Sequence, residues 1–264
     1  MVTREVIDYL NSTFHPEYQE DYDNAGFLLG DAQSEYKGAL VALDLTPAVV
    51  DEAVQLGMSL VVTHHPFIFT GVKRLTDATE TGRMVMTLTK NDISVYAAHT
   101  NLDNLPWGVN GILAEKLGLQ NCHILKPFAT DANLGAGMVG ELAEPMPVET
   151  FLMKVKEIIG IPIIRTSTLN FQFSTSKLKK VAICGGSGAE FIGDAMAKGA
   201  DIYLTADLKY HDFQRTGGRM VLADIGHYES EQFAKEIIFR AISEKFSTFA
   251  CRISDSQMGM VSYI

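Results

Sequence analysis

Residues 38–99 read GALVALDL (38–45), a helical stretch from Ala48 to Leu56, SLVVTHH (59–65), a second helical stretch from Glu80 to Lys90, and ISVYAAH (93–99). Short β-rich runs alternating with helical periodicity are the rhythm of βαβ units. Runs made almost wholly of Val, Ile, Leu and Ala suit strands buried on both faces, as parallel strands under helices are. The first half of the chain is therefore expected to be α/β.

Outward from this core, a helix is expected from Val109 to Leu117, closed by Gly118, after which PFATDANLGAG (127–137) loses regular spacing. The pattern restarts with MVGEL, a helix from Val148 to Ile159, IPIIRTS, KKVAICGG, a helix from Ala189 to Lys198, DIYLTADL and MVLADIGH. A last helix, Ser230 to Lys245, leads to FACRIS (249–254), which can join either sheet as a strand. The expectation is two α/β domains with mostly parallel sheets covered by helices: residues 1–125, completed by 230–264, and residues 126–229.

The chain has 264 residues, 47% of them hydrophobic, and a formal net charge of −10. That is a globular composition with room for one or two cores, and it excludes extensive disorder. The acidic balance argues against nucleic acid or an anionic membrane as a partner, and a phosphorylated substrate would need a local cation. The three cysteines, Cys122, Cys184 and Cys251, are far apart and suggest neither a disulfide framework nor a thiolate zinc site. The N-terminal MVTREVIDYL lacks the apolar stretch of a signal peptide, and no run of 18 uncharged apolar residues occurs. A cytoplasmic location is expected.

Five of the seven histidines, His64, His65, His99, His211 and His227, fall at or just past expected strand ends. In open α/β sheets the carboxyl ends of strands line the ligand crevice, so these side chains are aimed at a site. In THHP, Pro66 ends the strand, and the adjacent imidazoles are expected to point in different directions, each toward its own metal or toward a backbone carbonyl. In HTNLD, Asp103 can reach a cation or cap the helix near Val109. In GHYESE, His227 and Glu231 share a helix face while Glu229 points elsewhere. Together His64, His65, Asp103, His227 and Glu231 suit borderline divalent ions such as zinc, manganese or iron. They are enough for two ions if Glu231 bridges, and a metal pair lowers the pKa of bound water, which favours hydrolysis. His99 and Glu231 are the candidate catalytic residues, His99 as a proton relay.

Weaker signals are CGGSG (184–188), whose backbone amides could cradle an anion or form a tight β-to-α turn, and LTADLKYH, where Lys209 could supply a cation. DNAGFLLG (23–30) is expected to form a capped turn near the site, with Asp23 or Asn24 supporting the ligands. His15 and His123 are read as structural, and Trp107 is uninformative.

DNAGFLLG, VVTHHP, AAHTNLDN, CGGSG, LTADLKYH and GHYESE, in that order across almost the whole chain, resemble the motifs of the GTP cyclohydrolase 1 type 2 family, also called NIF-three-like. Phe27 replaces the usual Leu. The resemblance implies a dinuclear metal centre between two α/β domains, held by His64, His65, Asp103, His227 and Glu231, in a ring-shaped homohexamer. It implies GTP as substrate, with ring opening at carbon 8 of guanine and His99 shuttling protons. Nothing in the sequence itself reads guanine. A metal-dependent phosphoesterase, or a non-catalytic metal-binding or ring-shaped interaction protein, fits the same ligands.

Overall fold

The computed structural model describes residues 1–167, 177–256 and 259–264. The chain divides into one unit of Met1–Leu102 with Ala234–Met258 and a second of Asp103–Phe233 with Gly259–Ile264. The sequence reading placed the division at 125/126 and 229/230. It falls earlier at the first crossing because Leu113, Ala114 and Leu117 pack into the core of the second unit.

The first unit is built on a five-stranded sheet. Its strands are β1 (Gly26–Leu29), β2 (Gly38–Ala42), β3 (Leu60–Thr63), β4 (Ser94–Ala97) and β11 (Ala250–Ile253), in the order β1-β4-β3-β2-β11. β4, β3, β2 and β11 run parallel, and β1 closes one edge antiparallel to β4. β2, β3 and β4 are buried along their whole length, as the unbroken apolar runs required. Helices α2 (Pro47–Gln55) and α3 (Glu80–Lys90) start on Thr46 and Thr79, whose hydroxyls accept the Val49 and Gly82 amides. Their Val49, Val50, Ala53, Met84 and Leu88 pack with Leu40, Ala42, Val61 and Val95 of the sheet. Each fully buried Leu or Val of this kind contributes about 1.5–3 kcal/mol. Helix α1 (Thr3–Phe14) buries Val6, Ile7, Leu10 and Phe14, one helical face.

The second unit holds a six-stranded sheet in the order β5-β6-β8-β9-β10-β7. These strands are β5 (Leu119–Pro127), β6 (Gly135–Pro147), β7 (Arg165–Thr166), β8 (Lys177–Ser187), β9 (Ile202–Ala206) and β10 (Val221–Asp224). β8, β9 and β10 are parallel, whereas β5-β6-β8 and β10-β7 are antiparallel, so antiparallel pairs flank a parallel centre. Alternation along the strands divides two cores. Val181, Ile183, Ile202, Leu204 and Val221 pack with α5 (Val109–Leu117) and α6 (Val148–Ile159), while Ala182, Cys184, Tyr203 and Leu222 pack with α7 (Ile192–Ala197). α4 (Thr100–Asp103) is a single turn after β4.

The helix expected over Ser230–Lys245 is broken. α8 (His227–Glu231) ends before Gln232, and α9 (Ala234–Lys245) begins after Phe233. Phe233 is drawn into the second unit's core, and the Gln232 amide donates to the carbonyls of Ile159 and Glu229. α9 then packs on β2 and β11 in the first unit. No helix among the described residues is long and apolar enough to cross a membrane.

Candidate metal centre

The first unit's contribution follows from strand register. Ala42, Thr63 and Ala97 are level on the parallel strands β2, β3 and β4, so the residues just beyond them emerge side by side. The His64 amide donates to the Ala42 and Leu43 carbonyls, the His65 amide to Leu43, and the Ala98 amide to Thr63. His65 leans toward β2, where its Nδ1 lies 2.7 Å from Asp44 Oδ1. His64 leans toward β4, with Nδ1 2.6 Å from the Ala98 carbonyl. His99 Nδ1 is 2.7 Å from Asp23 Oδ1.

A carbonyl or carboxylate can only accept, so Nδ1 donates in each ring, which fixes the ring's orientation. The three ring centroids lie 5.0, 5.3 and 5.4 Å apart, and one ligand atom from each ring lies within 4.8 Å of the others. The adjacent imidazoles of THHP therefore converge where divergence was expected. Each is tied to a different neighbouring strand, yet the rings meet, and His99 joins them.

Asp23 is the anchor of His99. Burial tends to raise its pKa, but hydrogen bonds from His99, the Thr100 hydroxyl and the Asn24 amide outweigh this and hold it at about 2. The carboxylate stays an acceptor throughout the neutral range. DNAGFLLG thus combines a supporting Asp23 with an edge strand where only a turn was expected.

In the second unit β9 and β10 are level at Thr205 and Asp224. Asp207, left-handed at φ +57°, follows β9, and Gly226, at φ +76°, turns the chain from β10 into α8. His227 Nδ1 lies 2.7 Å from Asp207 Oδ2, and His227 Nε2 lies 3.0 Å from Glu231 Oε2, one helical turn on. Asp103 and Glu231 offer oxygens within 4.8 Å of one another. Glu229 folds back over Gly226, away from this group.

Gly186 completes the arrangement. Its φ is +61°, and a Cβ there would stand 2.0 Å from Glu231 Oε1 and 3.3 Å from His227 Nε2. The Gly185 and Gly186 amides donate to Asn110 Oδ1 and Ser230 Oγ at 2.9 and 3.0 Å. Those two amides are committed to the protein, and the glycine at 186 makes CGGSG a seat for Glu231. Asp103 does not cap α5, whose N-cap is Gly108 without a side-chain bond. Lys209 and His211 are exposed. His15 bonds Glu17, and His123 sits on an exposed strand near the Asn121 carbonyl.

The donor set fits divalent metal ions: imidazoles oriented through oxygen partners at Nδ1, with carboxylates beside them. Asp44, the pairing of Asp207 with His227, and the role of Gly186 were not foreseen. The strand-end position of Asp44 and Asp207 was the available signal.

Fold and donors define a two-unit α/β protein with histidine and carboxylate clusters suited to divalent metal. The family model for Duf34/NIF3 (NGG1p interacting factor 3) matches residues 1–258. A GTP cyclohydrolase 1 type 2 homolog of Clostridium perfringens is 36% identical over 235 residues, covering 88% of this chain and 87% of the relative. One from Streptomyces coelicolor is 35% identical over 231 residues, 86% and 80% of the two chains. The crystal structure of a Staphylococcus aureus hypothetical protein matches with a TM-score of 0.90 and 29% identity over 100% of this chain and 99% of that one. The chain belongs to the Duf34/NIF3 family.

Proposed function

We propose that this protein is a dinuclear metal-dependent hydrolase. His64, His65, Asp103, His227 and Glu231 would hold two divalent ions, zinc, manganese or iron, with Glu231 as the candidate shared ligand. The observation that carries this reading is that His64, His65 and His99 each offer a ligand atom within 4.8 Å of the others, as Asp103 and Glu231 do, while Nδ1 of His64, His65, His99 and His227 lies on a carbonyl or carboxylate oxygen. Bound there, two such ions supply Lewis acidity and water of lowered pKa.

The chain's own residues do the rest. Gly186 leaves the space in which the Glu231 carboxylate is seated, and Asp44 and Asp207 orient their imidazoles. His99 takes and returns a proton at Nε2 while Asp23, ionised down to about pH 2, stabilises the charged ring through Nδ1. GTP enters as substrate from the name of the relatives, with opening of the guanine ring at carbon 8 as the reaction. A cytoplasmic ring-shaped homohexamer belongs to the same reading.

The test is metal content per chain in the native protein and in Glu231→Ala, with turnover of GTP and of a generic phosphodiester by the same samples. About two ions per chain, lost in Glu231→Ala together with GTP turnover, is the expected result. Turnover of the phosphodiester alone would replace the substrate class, metal without turnover would remove the catalysis, and no metal after reconstitution would overturn the site.

A further inference from the structure

Two aromatic side chains stand exposed beside the three imidazoles and have no part in holding metal. Tyr22 is 62% exposed and Phe69 46%. Their ring centroids lie 6.4 Å apart at 50°, and the Phe69 ring lies 6.2 Å from that of His99 at 84°. Both come from segments that the first unit already fixes. Tyr22 precedes Asp23, whose carboxylate binds His99 and Thr100, and Asn24 Nδ2 donates to the Ile68 carbonyl at 2.6 Å, just before Phe69. One hydrogen bond thus ties the two aromatic loops together next to His99.

Large aromatic rings stabilise a fold when buried, and each can cover roughly 150–250 Å². Two of them kept in water beside a set of converging imidazoles form a surface for something that arrives at those imidazoles. The tilt excludes a parallel slot. It leaves an angled wall on which a planar ligand lies face-on to one ring and inclined by 50° to the other, within aromatic contact at centroid separations of about 4.5–7 Å.

We propose that Tyr22 and Phe69 form a stacking subsite for a flat heteroaromatic ring of purine type, presented with its edge toward His99. This rests on the reading of the imidazole cluster as part of a substrate-handling metal site, and it supplies the ring recognition that no sequence motif showed. Stacking reads the ring and is indifferent to phosphate.

The experiment is calorimetric titration of the full-length protein with guanosine, GTP and inorganic triphosphate, for the wild type, Tyr22→Ala, Phe69→Ala and Phe69→Trp. Alanine at either position is expected to weaken guanosine and GTP about tenfold, within the range for loss of one base-aromatic stack. Phe69→Trp should restore binding, while metal content and triphosphate binding stay at wild-type levels. Wild-type affinity for guanosine in both alanine variants overturns the proposal, as does failure of the wild type to bind guanosine or GTP. A change in oligomeric state in Phe69→Ala, read by light scattering, overturns it in favour of an interface with a second copy. The metal reading fails separately. Phe69-dependent guanosine binding by a protein that takes up no metal would sink the hydrolase and leave the subsite standing.

Discussion

Gly186→Ala tests the seat of Glu231 directly, and two costs can be separated. The first is backbone strain. A φ of +61° is left-handed, and a side chain there costs about 1–2 kcal/mol. In a chain of this length that lowers Tm by about 2–8 °C. The second is steric. The new methyl would lie 2.0 Å from Glu231 Oε1, so the oxygen must retreat to at least the 3.4 Å at which ordinary contact begins. Glu231 is only 4% exposed, so the carboxylate has little room to do so. Metal–ligand distances tolerate shifts of about 0.2 Å, and disturbing groups that merely orient ligands already costs about 10–100-fold in affinity. Gly186→Ala is therefore expected to lose metal affinity by at least about that factor, measured by chelator competition alongside metal content and thermal melting. Gly160→Ala is the control. Gly160 closes α6 at φ +73° with nothing within 4 Å of its Cβ position, so it carries the strain without the clash. It should lose a similar increment of Tm and keep its metal. Wild-type metal affinity in folded Gly186→Ala would refute the reasoning, because the geometry leaves Glu231 no undisturbed position.

Asp44→Asn and Asp207→Asn replace the carboxylates that hold His65 and His227, and each should weaken metal binding about 10–100-fold. Asn tolerates the left-handed backbone of Asp207, so a loss there could not be blamed on strain, and unchanged affinity in the same chelator competition would overturn the roles of both carboxylates. Glu52 gives a pH signature. Burial tends to raise its pKa, but the Ser254 hydroxyl and the amides of Asp255 and Ser256 outweigh this and lower it below the ordinary 4.5. A carboxylate depressed in the folded state adds stability that is complete above its unfolded pKa and fades as pH falls through the folded one. Glu52→Gln should melt below the wild type near pH 7, with the gap narrowing as pH falls below the ordinary 4.5. A gap that stays constant across that range sinks the assignment.

Legibility of the fold followed the strength of the local pattern. Glu80–Lys90, Val109–Leu117 and Val148–Ile159 are helices at the residues where their periodicity and closing residues put them. The buried strands after Gly38, Ser59 and Ile93 were equally plain, since nothing but a doubly covered strand needs such unbroken apolar runs. β5 was missed because its buried Ile124 and Leu125 are flanked by exposed residues, as befits the sheet edge it occupies. The break at Gln232–Phe233 was missed because it depends on the core that claims Phe233, and local propensity does not record that. FACRIS could have entered either sheet. Its place beside β2, level from Gly38 with Ala250 to Val41 with Ile253, is a property of the assembled unit.

The site divides along the same line. His64, His65, His99, Asp103, His227 and Glu231 were visible as residues because each follows a strand end or stands one helical turn from one that does. Their orienting partners were not, being 21, 76 and 20 residues away for His65, His99 and His227. Yet the partners obey one rule once strand neighbours are known. Ala42 is level with Thr63, so Asp44 and His65, each two residues on, remain level beyond the sheet. Thr205 is level with Asp224, and the left-handed turns at Asp207 and Gly226 keep Asp207 beside His227. β1 runs antiparallel to β4 with Gly26 opposite Ala97, so the residues entering β1 face those leaving β4. That brings Asp23 to His99 and Thr100. What the sequence lacked was the order of strands. Once that order is given, register, with the turns at Asp207 and Gly226, selects the carboxylate that fixes each ring, and a change that slips β2 against β3 by one residue would separate Asp44 from His65 without touching either side chain.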